Sequence, residues 1–241
     1  MHFTQHYSGS TANLYEITAS NGKRLLIECG VSWKKIRRAL GSNLEGTEGC
    51  FVSHSHKDHC CAMREVLENQ IDVFASEETL MSMHCRGNRK AKAVHKNDLV
   101  RRKSFDVLCF ETQHDCPGSL GFVVYEKATK EYLLFATDTK CIEQRFKYPF
   151  SIIAIEASYD KDVLAYKVKE GIINEELAKR LLTSHQEIKE ALRYITTFCD
   201  KTKLHEVHLL HMSGVNSDKD KAKELFEKEL MFVDVVYCED R

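Results

Sequence analysis

Three histidines and an aspartate fall within six residues of the segment Ser53-His54-Ser55-His56-Lys57-Asp58-His59. Imidazole nitrogen and carboxylate oxygen are the ligands that a borderline divalent cation such as zinc prefers. The segment follows directly on the apolar run Cys50-Phe51-Val52. In an extended loop residues i and i+2 point the same way, so His54 and His56 can hold one ion together. Asp58 and His59, at the start of a following helix, can reach a second. A metal site needs partners from elsewhere, and donors stand at the ends of other apolar runs. His114 closes Cys109–Gln113, Asp138 follows Leu133–Thr137, and His211 ends Val207–Leu210. Each sits at the C-terminal edge of a strand-like run, where loops build sites on a rigid scaffold.

The elements that must position these donors read as a mixed α/β chain. Phe3–Tyr7, Leu14–Thr18 and Arg24–Glu28 are β-type runs, and Asn21-Gly22 between the last two predicts a hairpin because both residues tolerate positive φ. Trp33–Leu40 and His59–Asn69 read as helices, with Asp72–Ala75 extended. Val107–Glu111, Gly121–Glu126, Tyr132–Ala136 and Ile152–Ile155 form a second group of strands. Helices are expected over Lys161–Glu170, Gln186–Phe198 and Lys219–Leu230, the last carrying Ala222, Leu225, Phe226 and Leu230 at helical spacing. Val207–Leu210 and Val233–Tyr237 flank it as strands. This order predicts two sheets packed face to face with helices outside, in a single domain over residues 1–241.

Composition narrows the function classes. The chain has 241 residues, 43% hydrophobic and 29% charged, which excludes a disordered, collagen-like or coiled-coil protein. A chain of this length buries roughly 70% of its unfolded surface and needs no disulfides. Lys and Arg number 35 against 36 Asp and Glu, a net charge of −1, which weighs against a protein held on long nucleic acid by a bulk cationic field. A local patch survives that balance: Arg86–Lys103 holds eight basic residues and the single acid Asp98. It lacks interleaved aromatics for base stacking, so a solvated face is the expectation there. No apolar stretch approaches a membrane span, and Met1–His6 lacks the cationic and apolar regions of a secretory signal. The ten cysteines form no Cys-x-x-Cys pair and are expected as reduced thiols in a cytoplasmic protein.

The pattern His-x-His-x-Asp-His, followed by His114, Asp138 and His211 in order, resembles the metallo-β-lactamase superfamily of dinuclear metallohydrolases. The resemblance implies an α/β fold, the four-layer αββα sandwich, and two divalent ions, zinc first with manganese as the alternative. By position it assigns His54, His56 and His114 to the first metal, Asp58, His59 and His211 to the second, and Asp138 to both. Local motifs are similar to those of the YycJ/WalJ-type branch: Ser8-Gly9-Ser10-Thr11-Ala12-Asn13, Leu26-Ile27-Glu28-Cys29-Gly30, Gln113-His114-Asp115-Cys116-Pro117, Glu156-Ala157-Ser158-Tyr159-Asp160, Ser184-His185 and Leu210-His211-Met212-Ser213. Thr11-Ala12, Glu28 and Gln186 depart from that branch's pattern.

A compact group with the same signature, the anti-Pycsar phosphodiesterases, cleaves cyclic mononucleotides. The chain is similar to them in length and motif order, and it is too short for the arm of the tRNase Z branch or the inserted domain of the β-CASP nucleases. Two divalent ions about 3.5–4 Å apart can share a water, lower its pKa towards 7 and clamp an in-line displacement at phosphorus. The expected activity is therefore metal-dependent hydrolysis of nucleotide phosphodiesters, 3′,5′-cyclic mononucleotides first. A 5′–3′ exonuclease on DNA or RNA is the alternative, and a thioester hydrolase or a non-catalytic metal-binding module stands behind it. In this scheme Asp58 and Asp138 orient the attacking hydroxide, and His185 protonates the leaving alkoxide or donates to the phosphate. Ser8, Ser10 and Asn13 contact phosphate or line the pocket. Glu28, Asp115 and Glu156 accept the free N–H of ligating imidazoles. A homodimer is expected, as the commonest soluble oligomer.

Overall fold

The computed structural model describes residues 1–41, 44–213 and 216–238. The chain divides into two compact units: Met1–Glu111 with Cys116–Glu131, and Thr112–Asp115 with residues 132–238. Its strands belong to two sheets.

In the first unit, β1 (His2–Tyr7), β2 (Leu14–Thr18), β3 (Arg24–Ile27), β4 (Thr47–Phe51), β5 (Val73–Ala75) and β6 (Ala91–Ala93) lie side by side in chain order. The first three are antiparallel neighbours, and β3 to β6 run parallel. The helices between them are α1 (Trp33–Leu40), α2 (Lys57–Cys60), α3 (Met63–Glu68) and α4 (Glu77–Ser82). Ile36 and Leu40 of α1 and Met63, Val66 and Leu67 of α3 pack with Leu26, Cys50, Val52 and Val73 into one buried core. Three further strands, β7 (Leu99–Arg101), β8 (Phe105–Glu111) and β9 (Leu120–Glu126), form an antiparallel ladder.

In the second unit, β10 (Glu131–Ala136), β11 (Phe150–Glu156), β12 (Glu206–Leu210) and β13 (Asp234–Tyr237) are parallel in that order. All seven residues of β11 are buried, and its apolar run Ile152–Ile155 is what a parallel strand with both faces covered requires. Its helices are α5 (Lys161–Lys169), α6 (Glu175–Ser184), α7 (Ile188–Phe198) and α8 (Lys219–Glu229). No helix among the described residues is long and apolar enough to cross a membrane. All ten cysteines are free thiols.

The α/β reading with two sheets holds, and several local expectations need correction. Only Gly22 takes positive φ (77°) in the β2–β3 hairpin; the loop closes through Ala19 N–H to Lys23 O and Gly22 N–H to Ala19 O, which needs no left-handed Asn21. The third strand stops at Ile27 because Glu28 turns to φ 65°. The helix expected over His59–Asn69 is two short ones, since the Ala62 N–H donates to Cys29 O and draws the chain off the helical path. The helix expected from Gln186 starts at Ile188, after Ser184 has closed α6, and Glu187 caps it by accepting from the Glu190 N–H. Helices α4 and α6 and strands β6 and β7 were not expected.

Candidate metal centre

The first unit gathers one donor set. Strand β4 runs into Ser53 and delivers His54 and His56 in extended backbone, and α2 begins at Lys57 with Asp58 and His59 in its single turn. His54 Nε2 and His56 Nδ1 are 3.0 Å apart, while the Ser53 hydroxyl lies 2.8 Å from His54 Nδ1 and fixes that ring from behind. The His54 and His59 rings are 4.2 Å apart between centroids. His59 Nε2 is 3.2 Å from Asp58 Oδ2, and its Nδ1 is turned the other way, 3.4 Å from Glu28 Oε1.

Two buried residues hold this loop. Glu28 is fully buried, and its carboxylate accepts from the Ser53 N–H at 3.2 Å. Burial pushes its carboxyl above the ordinary range, with His59 pulling the other way. Asn13 is also fully buried. Its Oδ1 accepts from the Gly9 N–H and the Tyr15 hydroxyl, and its Nδ2 lies 3.3 Å from Asp58 Oδ2 and 3.0 Å from His59 Nε2. That placement makes Asn13 a positioning residue for Asp58 and His59. Ser8 bonds the Tyr15 hydroxyl at 2.8 Å, and Ser10 is exposed.

The second unit gathers the other donors around Asp138 and Glu156. Asp138 follows β10 at φ 46° and His211 follows β12 at φ 51°. Left-handed backbone at non-glycine residues costs free energy and clusters at functional sites, and Glu28 of the first unit shares it. Asp138 Oδ2 faces His114 Nε2 and Oδ1 faces His211 Nε2, each at 3.6 Å. The far nitrogens are held: His114 Nδ1 donates to the Ser184 carbonyl at 3.0 Å, and His211 Nδ1 is 3.5 Å from Glu156 Oε1. His185 Nδ1 donates to the same Glu156 oxygen at 2.7 Å, and the ring stacks on His211 at 5.2 Å. Asp138, Glu156, His185 and His211 each offer an atom within 4.8 Å of one another. Burial disfavours a charged His185, but the carboxylates of Glu156, Asp138 and Asp115 outweigh it and lift the ring to about 9. His211 is raised against its burial by Asp138 and Glu156.

These arrangements fit divalent cations. His54 and His114 each have one nitrogen on a hydroxyl or carbonyl, and His59 and His211 each turn one toward a buried carboxylate, which is how metal-bound histidines are oriented. Glu28 and Glu156 face the imidazoles of His59 and His211 at 3.4 and 3.5 Å, and the short hydrogen bond of Glu156 goes to His185. Asp115 differs: its Oδ1 lies 3.1 Å from His114 Nε2, the nitrogen facing Asp138, and Oδ2 pairs with Arg180. Two supports went unread in the sequence. Ser53 carried a signal, a hydroxyl next to the first histidine; the Ser184 carbonyl is backbone and carries none.

Glu28 gives a direct test of this support. Glu28→Gln keeps an acceptor for Ser53 and removes the charge beside His59, so the affinity for zinc should fall roughly 10- to 100-fold. Competition against a chromophoric chelator measures it, and an unchanged affinity would separate Glu28 from metal binding.

Comparison with known proteins bears on the family and the fold. A short stretch is 47% identical over 47 residues to the anti-Pycsar protein Apyc1 of Bacillus phage 010DV004, covering 20% of this chain and 18% of that protein. The match therefore spans less than a fifth of the relative's length. Among solved structures, the metallo-beta-lactamase fold protein YhfI from Bacillus subtilis superposes with a TM-score of 0.74 at 12% identity, over 98% of this chain and 95% of its own. A diphosphatase from the PhnP family superposes with a TM-score of 0.66 at 13% identity, over 99% and 94%. A family model described as the beta-lactamase superfamily domain matches residues 23–226, and the chain belongs to that superfamily, with the metallo-β-lactamase fold.

Proposed function

We propose that the chain is a metal-dependent phosphodiesterase acting on small nucleotides, 3′,5′-cyclic mononucleotides first among them. Its metal ligands in this reading are His54, His56, Asp58, His59, His114, Asp138 and His211. The observation that carries it is Asp138, whose two carboxylate oxygens are divided between His114 and His211 at equal distance. A carboxylate so divided suits two cations rather than one. The local identity to an anti-Pycsar protein supports the substrate class, and the fold shared with a diphosphatase supports phosphate chemistry.

Two divalent cations, zinc or manganese, would supply Lewis-acid charge for the phosphoryl oxygens and lower the pKa of an attacking water. The residues supply the rest. Asp138 and Asp58 accept hydrogen bonds from the attacking water and fix its direction. His185 has Nδ1–H committed to Glu156, so only Nε2 is left to hold a proton for the leaving alkoxide. Asn13, buried against Asp58 and His59, keeps that side of the site from relaxing.

The test is a panel of 3′,5′-cyclic mononucleotides, cyclic dinucleotides and labelled oligonucleotides, each incubated with metal-loaded protein and with Asp58→Ala. The expected result is turnover of cyclic mononucleotides to linear monophosphates by the wild type alone. Turnover confined to oligonucleotides, or to none of the three, would overturn the reading.

A further inference from the structure

We propose that a basic rim in the first unit, formed by Arg89, Lys92, Arg101 and Lys103, binds the phosphodiester backbone of single-stranded nucleic acid at a surface separate from the metal ligands. Two basic runs converge there on one acid. Lys90 Nζ lies 3.3 Å from Asp72 Oδ1, and Arg102 Nη2 lies 3.3 Å from Asp72 Oδ2. The Arg102 guanidinium also sits over the Phe74 ring, 5.4 Å from its centroid. Asp72 thus ties the approach to β6 to the exit from β7 and brings their flanking cations onto one rim.

That carboxylate serves two cations, and four more flank Lys90 and Arg102 along the chain; Asp106, level with Arg101 across the β7–β8 pair, is taken by Lys127 at 2.9 Å. Arg89, Lys92, Arg101 and Lys103 are all exposed, and among the described residues none has a carboxylate partner. Lys92 Nζ donates instead to the Arg89 carbonyl, at 2.8 Å. The chain as a whole is balanced at −1, so this excess is local.

Strand direction sets the rim apart from the metal loop. β4, β5 and β6 are parallel, with Cys50 level with Val73 and Val73 level with Ala91. His54 lies beyond the C-terminal end of β4. Asp72, Arg89 and Lys90 precede the N-terminal ends of β5 and β6, at the opposite edge of the sheet. Cations there cannot act on the reacting phosphate, and their ligand is a separate one.

Both β6 and β7 close the ends of their sheets. Lysine is the charged residue most used to stop such edges from pairing with another chain. Arginine forks match phosphate oxygens, and a backbone polyanion needs charge without apolar anchors. The rim offers the first and lacks the second: Leu99 is the one large exposed apolar side chain described on β6 and β7, which disfavours an acidic polypeptide.

The experiment is fluorescence anisotropy of a labelled phosphorothioate oligothymidylate with metal-loaded protein across a salt series. The variant carries Arg89→Gln, Lys92→Gln, Arg101→Gln and Lys103→Gln together. Wild type should bind at low salt, and the variant should bind at least tenfold more weakly. The slope of log affinity on log salt should shrink by about 2.8, roughly 0.7 for each lost contact. An Arg101→Gln, Lys103→Gln double variant should show about half that change, which guards against a misfolded quadruple variant. Absence of wild-type binding at low salt, an unchanged slope in both variants, or equal displacement of the strand by polyglutamate would each overturn the proposal.

Discussion

Asp138→Asn should abolish hydrolysis while leaving the protein folded. The replacement keeps one oxygen, which can still accept from the Thr137 hydroxyl as Asp138 Oδ1 does at 3.0 Å. It also keeps a residue type that tolerates the left-handed backbone found here at φ 46°. What it removes is the negative charge and the second acceptor oxygen, the one facing His114. An amide hydrogen in that position would point at an imidazole nitrogen or a cation. If the divided carboxylate carries about 4 kcal/mol of the stabilisation of the reacting phosphate, turnover falls roughly a thousandfold. Steady-state kinetics beside metal content by mass spectrometry reads both effects, with the melting temperature as the control for folding. Activity within tenfold of wild type at full metal content would contradict the role given to Asp138.

Gly30→Ala should be the most destabilising small substitution near the site. A Cβ at Gly30 would stand 1.6 Å from the Asp58 carbonyl oxygen, 2.1 Å from its carbon and 2.6 Å from the His59 nitrogen. These are backbone atoms, so no rotamer change relieves the clash. The backbone is also tied on both sides, by the Gly30 N–H to Asn13 O and the Cys29 N–H to His59 O. Overpacking costs about 1–3 kcal/mol where side chains can give way, and here the cost should reach or exceed the upper figure. For a chain of this length that corresponds to a loss of roughly 6–12 °C in melting temperature. Metal affinity should fall with it, because the shift needed to admit the methyl moves Asp58 and His59. Gly9→Ala is the control: nothing lies within 4 Å of its Cβ position, and its stability should stay within about 0.5 kcal/mol. Thermal melting of both variants decides the matter, and a Gly30→Ala protein as stable as the control would show that the close approach is not a constraint.

The donors were legible because chemistry marks them. His54, His56, Asp58 and His59 differ in type from everything around them, and His114, Asp138 and His211 each follow an apolar run that became β8, β10 or β12. Glu28 and Glu156 were legible as carboxylates near those runs, although the turn that aims Glu28 at Ser53 and His59 was not. Gly30 carried no such mark, because its requirement comes from a chain segment 28 residues away that folding brings to contact distance. The elements that escaped did so for separate reasons. Ala91-Lys92-Ala93 has no strand propensity, and pairing with β5 makes it one. Helix α6 announces itself through the Asn174 cap, whose Oδ1 accepts from the Leu177 N–H, yet Leu177 and Leu182 stay exposed and blur the apolar face. The break between α2 and α3 depends on Cys29, a long-range backbone acceptor that no local pattern reveals.

The central claim is that nitrogen and oxygen donors of histidine and aspartate bind the cations, in a chain that also holds ten free thiols. X-ray absorption at the zinc edge of zinc-loaded protein separates the two directly. The prediction is a first shell of nitrogen and oxygen alone at about 2.0–2.2 Å with the outer scattering of imidazole, in protein carrying about two zinc ions per chain. Sulfur scattering near about 2.3 Å as the dominant first shell, or folded protein that takes up no zinc, would contradict it.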